Sequence, residues 1–302
     1  MEKKLTIFTP TYNRATFLPR VYQSLLQQTD QRFVWQIVDD GSRDDTEAVV
    51  EQFQQQGIIE IQYIKKENGG KHTAYNVGVK AAQTELFFIA LDSDDWLHSN
   101  AVQKVLSLWE QAQPDIVGMT FLCENGKGSK LCNVFQENEL KSRNASLQEA
   151  FQNDWFLGEA EYVLRTEYAK QFLYPEMNGE KFFTEAYVYL QMTGKMLWSK
   201  ESIYVREYQT NGLTDSVLSG FVKNPKSYAL YNDLRLSLCR QKGLKRLKYA
   251  LYYDMFCILA KEKRFLRKSS APLLPAAVMP LAPFASLALV LLEKRRRRTK
   301  NE

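Results

Sequence analysis

Residues 86–95, Leu-Phe-Phe-Ile-Ala-Leu-Asp-Ser-Asp-Asp, contain the most informative pattern of the chain. Six apolar residues in a row are typical of a buried strand, and three carboxylates, Asp92, Asp94 and Asp95, follow at its carboxyl end. Like charges this close repel each other, so the cluster indicates a bound cation. Oxygen ligands favour Mg²⁺ or Mn²⁺, which in turn can hold a diphosphate. The alternative is a solvated acidic turn that caps the next helix, since aspartate is a favourable N-cap residue.

Strand and helix patterns alternate through the first 121 residues. The strand patterns cover 5–9, 33–38, 58–64, 86–91 and 115–121. The helix patterns lie between them, at 15–28, 44–56, 72–82 and 100–111. This order predicts an α/β fold of βαβ units, with a mostly parallel sheet flanked by helices.

Four polar segments follow the first four strands directly. They are 9–14, 39–42, 68–71 and 92–95. Because ligands of such sheets bind beyond the carboxyl ends of the strands, we expect all four segments to meet at one edge. The chain has no G-x-G-x-x-G after its first strand and no G-x-x-x-x-G-K-[S/T], which argues against a dinucleotide site and a P-loop.

The positive charge of the chain is concentrated in its tail. Of the net charge of +5, residues 261–302 contribute 11 Lys and Arg against 3 Asp and Glu, or +8, which leaves the first 260 residues at −3. Nucleic-acid binding by the main body is therefore not indicated. The four cysteines show no metal-ligand spacing, and residues 1–4 lead into a strand pattern without a signal-peptide segment. We therefore expect a cytoplasmic catalytic body.

Four motifs occur together at a specific spacing. They are Pro10-Thr11-Tyr12-Asn13-Arg14, Asp39-Asp40-Gly41-Ser42 with Asp45-Thr46, the run Asn68 to Gly78 with Lys71, Ala74 and Asn76, and Asp92-Ser93-Asp94-Asp95. In this order they resemble family-2 glycosyltransferases, which have the GT-A type of Rossmann-like sheet. The resemblance is close over residues 4–122 and looser to about Thr214. It implies a bacterial enzyme of surface-polysaccharide synthesis.

The resemblance implies a nucleotide-sugar donor, most often a UDP-sugar. Tyr12 would pack on the uracil face, or it would only anchor its loop. Asp40 matches the carboxylate that accepts a hydrogen bond from uracil N3, whereas Asp39 is either a second donor contact or a cap for the turn. Lys71, near a helix start, would approach the uridine or the diphosphate, unless it is only solvated. The full set of expected donor-binding residues is Pro10, Tyr12, Asn13, Arg14, Asp39, Asp40, Lys71, Asn76 and Ser93.

The resemblance also places Mn²⁺ or Mg²⁺ at Asp92, Asp94 and Asp95. The ion would bridge the two phosphates and neutralise the charge that develops on the leaving nucleoside diphosphate. Since side chains alternate along extended backbone, we expect Asp92 and Asp94 to point one way and Asp95 another. Which of the three acids bind the metal directly is left open.

Inverting transfer needs a general base that takes the proton of the acceptor hydroxyl. The best match to the base of this family is Glu185, ahead of a helix-like run. Ala186 stands where the family usually has a second acid, and Glu180 is the alternative base. Without a catalytic role, Glu185 would be a first-turn glutamate that complements the helix dipole.

The second half divides less clearly. We expect 1–122 to be the nucleotide-sugar-binding half, 123–220 the acceptor-binding half and 221–302 a helical C-terminal region. Within that region, residues 269–292 carry no charge and contain four prolines between basic flanks. This favours a segment that dips into one leaflet or lies on the membrane surface, with the polybasic residues 293–298 on anionic lipid. The alternative is a soluble hairpin packed on the main domain or on a partner.

Together these expectations describe a metal-dependent inverting glycosyltransferase at the inner face of the cell membrane. It would move one sugar from a nucleotide sugar to a saccharide acceptor, and transfer of a single sugar is favoured because the processive Gln-x-x-Arg-Trp motif is absent. The membrane location of the tail, together with the resemblance, suits an acceptor linked to polyprenyl diphosphate. A loop at 208–214 would lie near the donor or acceptor, or be a plain surface turn. Two other functions are weighed: a sugar-nucleotide pyrophosphorylase, which would need a Gly-rich basic loop after the first strand, and a non-catalytic membrane-bound partner protein.

Overall fold

The computed structural model describes residues 2–207, 217–238 and 243–301. The chain divides into two units. The first consists of Met1–Tyr174 and Gln191–Glu207, and the second of Pro175–Leu190 and Tyr208–Glu302. The loop expected near a substrate at 208–214 lies outside the described residues.

Ten strands belong to the first unit. They are β1 Leu5–Thr11, β2 Phe33–Asp39, β3 Ile61–Lys65, β4 Leu86–Phe88, β5 Trp96–Leu97, β6 Ile116–Asn125, β7 Cys132–Phe135, β8 Phe156–Gly158, β9 Ala160–Arg165 and β10 Lys195–Arg206. Its helices are α1 Leu18–Leu26, α2 Thr46–Gln56, α3 Lys71–Ala81, α4 Ala101–Trp109, α5 Glu137–Ser142, α6 Leu147–Gln152 and α7 Thr166–Ala169.

Eight strands form one mixed sheet in the order β3-β2-β1-β4-β9-β6-β10-β5. The first four strands are parallel, as the βαβ rhythm predicts. β9 then enters antiparallel between β4 and β6, β10 pairs parallel with β6, and β5 pairs antiparallel with β10. The expected α/β fold is confirmed, and β9 and β5 make the sheet more mixed than the pattern of the first half indicates.

The parallel half of the sheet brings three strand ends to one level. In the register, Thr11 lies opposite Asp39, and Asp39 lies opposite Lys65. The apolar run that follows β4 stays between its neighbours, because the Ile89 amide donates to the carbonyl of Tyr162 (3.0 Å) and the Leu91 amide donates to the carbonyl of Phe8 (2.7 Å). The segments after β1, β2, β3 and β4 therefore emerge at the same edge.

Aromatic packing holds the helices of the first unit on this sheet. The rings of Tyr22 on α1 and Phe53 on α2 stack with centroids 4.2 Å apart, over Trp35 on β2. On α3, a Cβ atom at Gly78 would lie 2.6 Å from the ring of Phe8. The missing side chain thus lets α3 approach β1 closely, with its first residue Lys71 at the polar edge.

The second unit is helical in its described part. Its helices are α8 Ala186–Tyr189, α9 Val217–Lys223, α10 Pro225–Leu238, α11 Leu244–Leu259, α12 Phe265–Lys268, α13 Leu273–Val278, a 3₁₀ turn Met279–Leu281 and α14 Ala282–Asn301. Tyr253 and Phe256 of α11 form a small core with Leu289 of α14.

One face of α14 is buried and the opposite face is exposed and apolar. The buried positions recur at helical spacing and are Ala282, Ser286, Leu289 and Glu293. The exposed apolar positions around this helix are Leu281, Phe284, Leu287, Leu291 and Leu292. Within the described residues, the stretch Leu273–Arg296 is long and apolar enough to cross a membrane, with a mean hydropathy of 2.0, and 17% of its apolar window is buried.

Candidate active site

Two loops at the polar edge are joined by hydrogen bonds between their backbones and side chains. The amide of Asn13 donates to Ser42 Oγ (2.8 Å), and the amide of Arg43 donates to Asn13 Oδ1 (2.8 Å). Asn13 has a φ of +52°, a left-handed conformation that asparagine tolerates better than most residues. Pro10 is buried in β1. Of the expected donor-binding residues, Pro10 and Asn13 therefore shape the loop.

This loop presents Tyr12 to solvent. The residue is 44% exposed, which does not fit a side chain that anchors the loop by packing. Arg14 follows it, and its guanidinium lies 5.0 Å from the centroid of the Phe17 ring. An exposed aromatic plane beside a cation suits a nucleotide base and its phosphates.

Asp39 is a structural cap of the turn after β2. It is fully buried; one carboxylate oxygen accepts from the amide of Ser42 (2.8 Å) and the other from the hydroxyl of Tyr63 (2.6 Å). Of the two roles open for Asp39, the structure supports the cap.

Asp40 is tied to the turn that follows β3. Oδ1 accepts from Lys66 Nζ (2.7 Å) and the Gly69 amide (2.9 Å), and Oδ2 accepts from Asn68 Nδ2 (3.1 Å) and the Gly70 amide (2.7 Å). A carboxylate offers about four acceptor positions, so in this structure all of them are used. A hydrogen bond to uracil would have to replace one of these donors, and the expected base contact of Asp40 stays a prediction.

Residues 92–95 form the acidic segment, and its first carboxylate pairs with a lysine. Lys71 Nζ lies 2.7 Å from Asp92 Oδ1. Burial raises the pKa of Asp92, but the charges of Lys71, Arg206 and Arg14 outweigh it and hold that pKa below its ordinary value. Three cations thus face one acidic strand end, an arrangement that suits a diphosphate brought in with a divalent ion.

Exposure alternates along the acidic segment, although Ser93 and Asp94 form the centre of a turn and not extended backbone, since the amide of Asp95 donates to the carbonyl of Asp92 (3.1 Å). Asp92 and Asp94 are partly exposed, whereas Ser93 and Asp95 are only 6% and 4% exposed. Asp95 points inward: its oxygens accept from the hydroxyl of Tyr204 (2.7 Å) and the amide of Glu207 (2.9 Å). Burial, together with the charge of Asp92, raises the pKa of Asp95 to about 6. Asp95 is therefore buried together with Ser93. The two partly exposed carboxylates, Asp92 and Asp94, are here called the outward pair.

The outward pair fits a metal that completes its coordination with the substrate. Among the residues that the structure describes, no three His, Cys, Asp or Glu side chains are grouped to hold a metal. Mg²⁺ and Mn²⁺ are commonly held by one or two carboxylates together with substrate phosphates. Asp92 and Asp94 can supply those carboxylates, with Lys71 as the present counter-charge of Asp92.

Asn76 lies away from this pair. It is 3% exposed; its Nδ2 donates to the carbonyl of Tyr174 (2.9 Å) and its Oδ1 accepts from the amide of Tyr174 (2.9 Å). These two hydrogen bonds join α3 to Tyr174, and the expected donor contact of Asn76 stays a prediction. The local sequence around Asn76 does not indicate the contact with Tyr174, because that partner is 98 residues away.

The two candidate bases are in the second unit and differ in their surroundings. Glu185 is exposed at the N-cap of α8. Glu180 is 8% exposed, and its carboxylate accepts from the amides of Lys226 (2.8 Å) and Ser227 (2.8 Å) and from Ser227 Oγ (2.7 Å). Glu180 thus caps the start of α10, which leaves Glu185 as the better candidate.

Sequence reasoning missed a charged network beneath the acidic segment. Arg206 on β10 pairs with Glu159 (2.6 Å) and with the buried Glu161 on β9 (2.7 Å). Tyr204, two residues earlier, reaches Asp95. Glu161 lies within the otherwise apolar sequence of β9, and a charged residue at such a position indicates a buried ion pair. The sequence does not identify its partner, Arg206, because that residue is on a strand far along the chain.

The chain is similar in sequence to known glycosyltransferases. Residues 6–155 match the model of glycosyl transferase family 2. The poly(ribitol-phosphate) β-N-acetylglucosaminyltransferase TarP of Staphylococcus aureus is 30% identical over 117 residues, which are 38% of this chain and 36% of TarP. The chain thus spans about a third of the length of the curated relatives it matches first.

Solved structures share the fold over nearly the whole chain. S. aureus TarS 1–349 in complex with UDP-GlcNAc superposes with a TM-score of 0.60 at 15% identity, covering 98% of this chain and 92% of that one. The mannosyltransferase PcManGT from Pyrobaculum calidifontis, in complex with GDP-Man and Mn²⁺, gives a TM-score of 0.54 at 14% identity, covering 100% and 89%. The motifs at the strand ends, the mixed sheet and the family match together place the chain in glycosyl transferase family 2, with the GT-A fold.

Proposed function

We propose that this protein is a metal-dependent inverting glycosyltransferase that moves one sugar from a UDP-sugar to a saccharide acceptor. The observation that carries the proposal is the outward pair Asp92 and Asp94, with Lys71 2.7 Å from Asp92, at the edge where Tyr12 is exposed. The complex of TarS with UDP-GlcNAc supports the choice of UDP, and the Mn²⁺ in PcManGT supports a divalent ion.

Each side chain at this edge has a distinct task in donor binding. Tyr12 stacks on the base, and Arg14 and Lys71 attract the diphosphate. Asp92 and Asp94 hold the Mn²⁺ or Mg²⁺, which when bound neutralises charge on the leaving UDP. Asp40 keeps the Asn68–Gly70 turn in place beside them.

The chemical step needs a base on the acceptor side. We assign it to Glu185, which is exposed, whereas the carboxylate of Glu180 is committed to the start of α10. A carboxylate at this position can accept the proton of an acceptor hydroxyl as that oxygen attacks the anomeric carbon.

A donor screen tests the enzymatic proposal. The purified full-length protein is incubated with a panel of UDP- and other nucleotide-sugars, with a saccharide acceptor extract, and with Mn²⁺ or EDTA. We expect that at least one donor releases UDP, and that this release requires Mn²⁺ and stops in EDTA. Equal release in EDTA would contradict metal dependence, and no release from any donor in the presence of acceptor would contradict the transferase function.

We also propose that the second unit docks on a membrane and that the acceptor is lipid-linked. The exposed face of α14 is apolar over Phe284, Leu287 and Leu291, and the polybasic residues 294–298 come after these positions in the sequence. The buried face of the same helix packs on α11, so a helix lying in the interface fits better than one crossing the bilayer. Flotation with vesicles containing anionic lipid tests this, and a protein that stays unbound with them contradicts it.

A further inference from the structure

Tyr204 connects the two ends of the acidic turn through a single hydroxyl group. The residue is fully buried on β10; its hydroxyl donates to Asp95 Oδ2 (2.7 Å) and accepts from the backbone amide of Asp92 (2.9 Å). Its ring stacks on Phe88 of β4, with centroids 6.3 Å apart. The ring packing fixes the hydroxyl, and the hydroxyl fixes the segment that carries Asp92 and Asp94.

The same turn is held on its outer side by Arg20 of α1. The guanidinium of Arg20 donates to the backbone carbonyl of Asp94 and pairs with Glu207, and it lies 4.6 Å from the centroid of the Trp96 ring. The amide of Glu207 in turn donates to Asp95 Oδ1 (2.9 Å). The contacts therefore form a closed circuit around the turn.

We propose that Arg20, Asp95, Tyr204 and Glu207, here named the turn clamp, are positioning residues that orient the carboxylates of Asp92 and Asp94 for metal and diphosphate. This inference rests on the proposed function. Two carboxylates on adjacent outward positions repel each other, and a turn without a fixed backbone relieves that repulsion by rotating them apart. Groups that orient ligands in this way typically change metal affinity about 10- to 100-fold when removed.

A purely structural role for the turn clamp makes a different prediction. It would lower the melting temperature of a variant without changing the Mn²⁺ concentration that the folded protein requires. The test therefore needs both readouts, and it needs a control that alters a buried tyrosine elsewhere.

Tyr204→Phe is the central variant, and Tyr75→Phe is its control. Tyr75 is also buried, at 3% exposure, and its hydroxyl has no hydrogen-bond partner within the described part of the chain. We expect Tyr204→Phe to raise the Mn²⁺ concentration at half-maximal activity and the donor KM by about tenfold, with a smaller change in kcat at saturating Mn²⁺. Calorimetry of UDP with Mn²⁺ should show the same loss of affinity without turnover. Tyr75→Phe should leave all of these values unchanged.

Arg20→Ala tests the turn clamp from the surface, where the substitution does not threaten folding. Arg32→Ala is the control, since Arg32 is similarly exposed (31% against 37% for Arg20) and also forms ion pairs, ahead of β2. We expect Arg20→Ala to weaken UDP and Mn²⁺ binding about three- to tenfold, and Arg32→Ala to leave it unchanged.

The binding measurements distinguish a failure of the turn clamp from a failure of the proposed function. If the wild-type protein binds UDP with Mn²⁺ and both clamp variants bind them equally well, the turn clamp is overturned and the proposed function stands. If the wild-type protein binds neither UDP nor Mn²⁺ and releases no UDP, the proposed function is overturned and the inference falls with it.

Discussion

The buried carboxylates of this protein differ in whether a donor reaches them. Asp39, Asp95 and Glu180 each accept two or more hydrogen bonds. Asp254 on α11 is fully buried, and neither of its oxygens has a hydrogen-bond partner in the described part of the chain. Burial raises the pKa of Asp254 to about 7. This residue should therefore make the stability of the protein depend on pH.

We expect Asp254→Asn to stabilise the protein at pH 8 more than at pH 5. In the unfolded chain the carboxyl group loses its proton near pH 3.8, whereas in the folded protein it keeps the proton to about pH 7. Between these values the folded state binds more protons, so the free energy of unfolding of the wild type falls as pH rises. Asparagine does not ionise, and the difference should grow by about 1–3 kcal/mol from pH 5 to pH 8. Thermal melting by circular dichroism at both pH values measures it.

The exposed Asp115→Asn serves as the comparison for that experiment. Asp115 pairs with Lys195 at the surface, with 57% of each side chain exposed. Its effect on melting should be the same at pH 5 and pH 8. An Asp254→Asn effect that is also independent of pH would show that Asp254 has no raised pKa.

Asp94→Asn should abolish the divalent-ion dependence of donor binding. Asp94 is one of the two outward carboxylates, and an amide is a weaker ligand for a hard cation. We expect the affinity for UDP in the presence of Mn²⁺ to fall about tenfold or more by calorimetry, toward the value in EDTA. Asp115→Asn should bind as the wild type does. Normal Mn²⁺-dependent binding by Asp94→Asn would remove this residue from the metal site.

Glu185→Gln should separate binding from turnover. The amide cannot take up a proton, so we expect transfer to fall about 100-fold or more while the affinity for UDP-sugar stays the same. Glu180→Gln should instead keep turnover and lower the melting temperature, because it weakens the cap of α10. If Glu180→Gln abolishes turnover and Glu185→Gln does not, the assignment of the base is reversed.

At the scale of elements, one face of α14 packs against α11 and the opposite face is exposed and apolar. Removing it would uncover Tyr253 and Phe256, so deletion of the tail would confound membrane binding with unfolding. Substitution of its exposed face avoids this. Phe284 and Leu291 are 73% and 56% exposed and lie seven residues apart, two turns along the same face.

The double variant Phe284→Ser with Leu291→Ser should lose binding to anionic vesicles while its melting temperature stays the same. Flotation on a density gradient measures the bound fraction. Leu244→Ser is the control, because Leu244 is 85% exposed at the start of α11 and outside this face. Equal flotation of the double variant and the control would show that α14 is not the docking surface.

The sequence predicts a helix or strand well where the periodicity of its own residues specifies it. Apart from β5, the helices and strands up to residue 125 agree with their patterns within a few residues, because the local sequence specifies each of them. β9 was not predicted, and neither was the two-residue β5. Both are specified by pairing with β10 or β4, strands that lie far away along the chain.

At the scale of the whole molecule, sequence reasoning placed the polar segments at one edge of the sheet and missed the contacts that join them. Tyr12, Lys71, Asp92 and Asp94 lie at the expected edge, because the segments that carry them come after β1, β3 and β4, strands of the parallel part of the sheet. The ties from Tyr204 to Asp95 and from Asn76 to Tyr174 span 109 and 98 residues. No local pattern encodes such pairs, so only the folded chain reveals them.

The position of β9 has a consequence for how the protein is made. The family match ends at residue 155, but β9 at Ala160–Arg165 fills the gap between β4 and β6, and β10 at Lys195–Arg206 covers the far side of β6. A nascent chain that has emerged only to residue 155 has facing strand edges with unpaired amides and carbonyls, which invite association with other chains. All eight strands of the sheet are present only after β10, which ends at residue 206, has left the ribosome. By then 175–190, a piece of the other unit, is already outside.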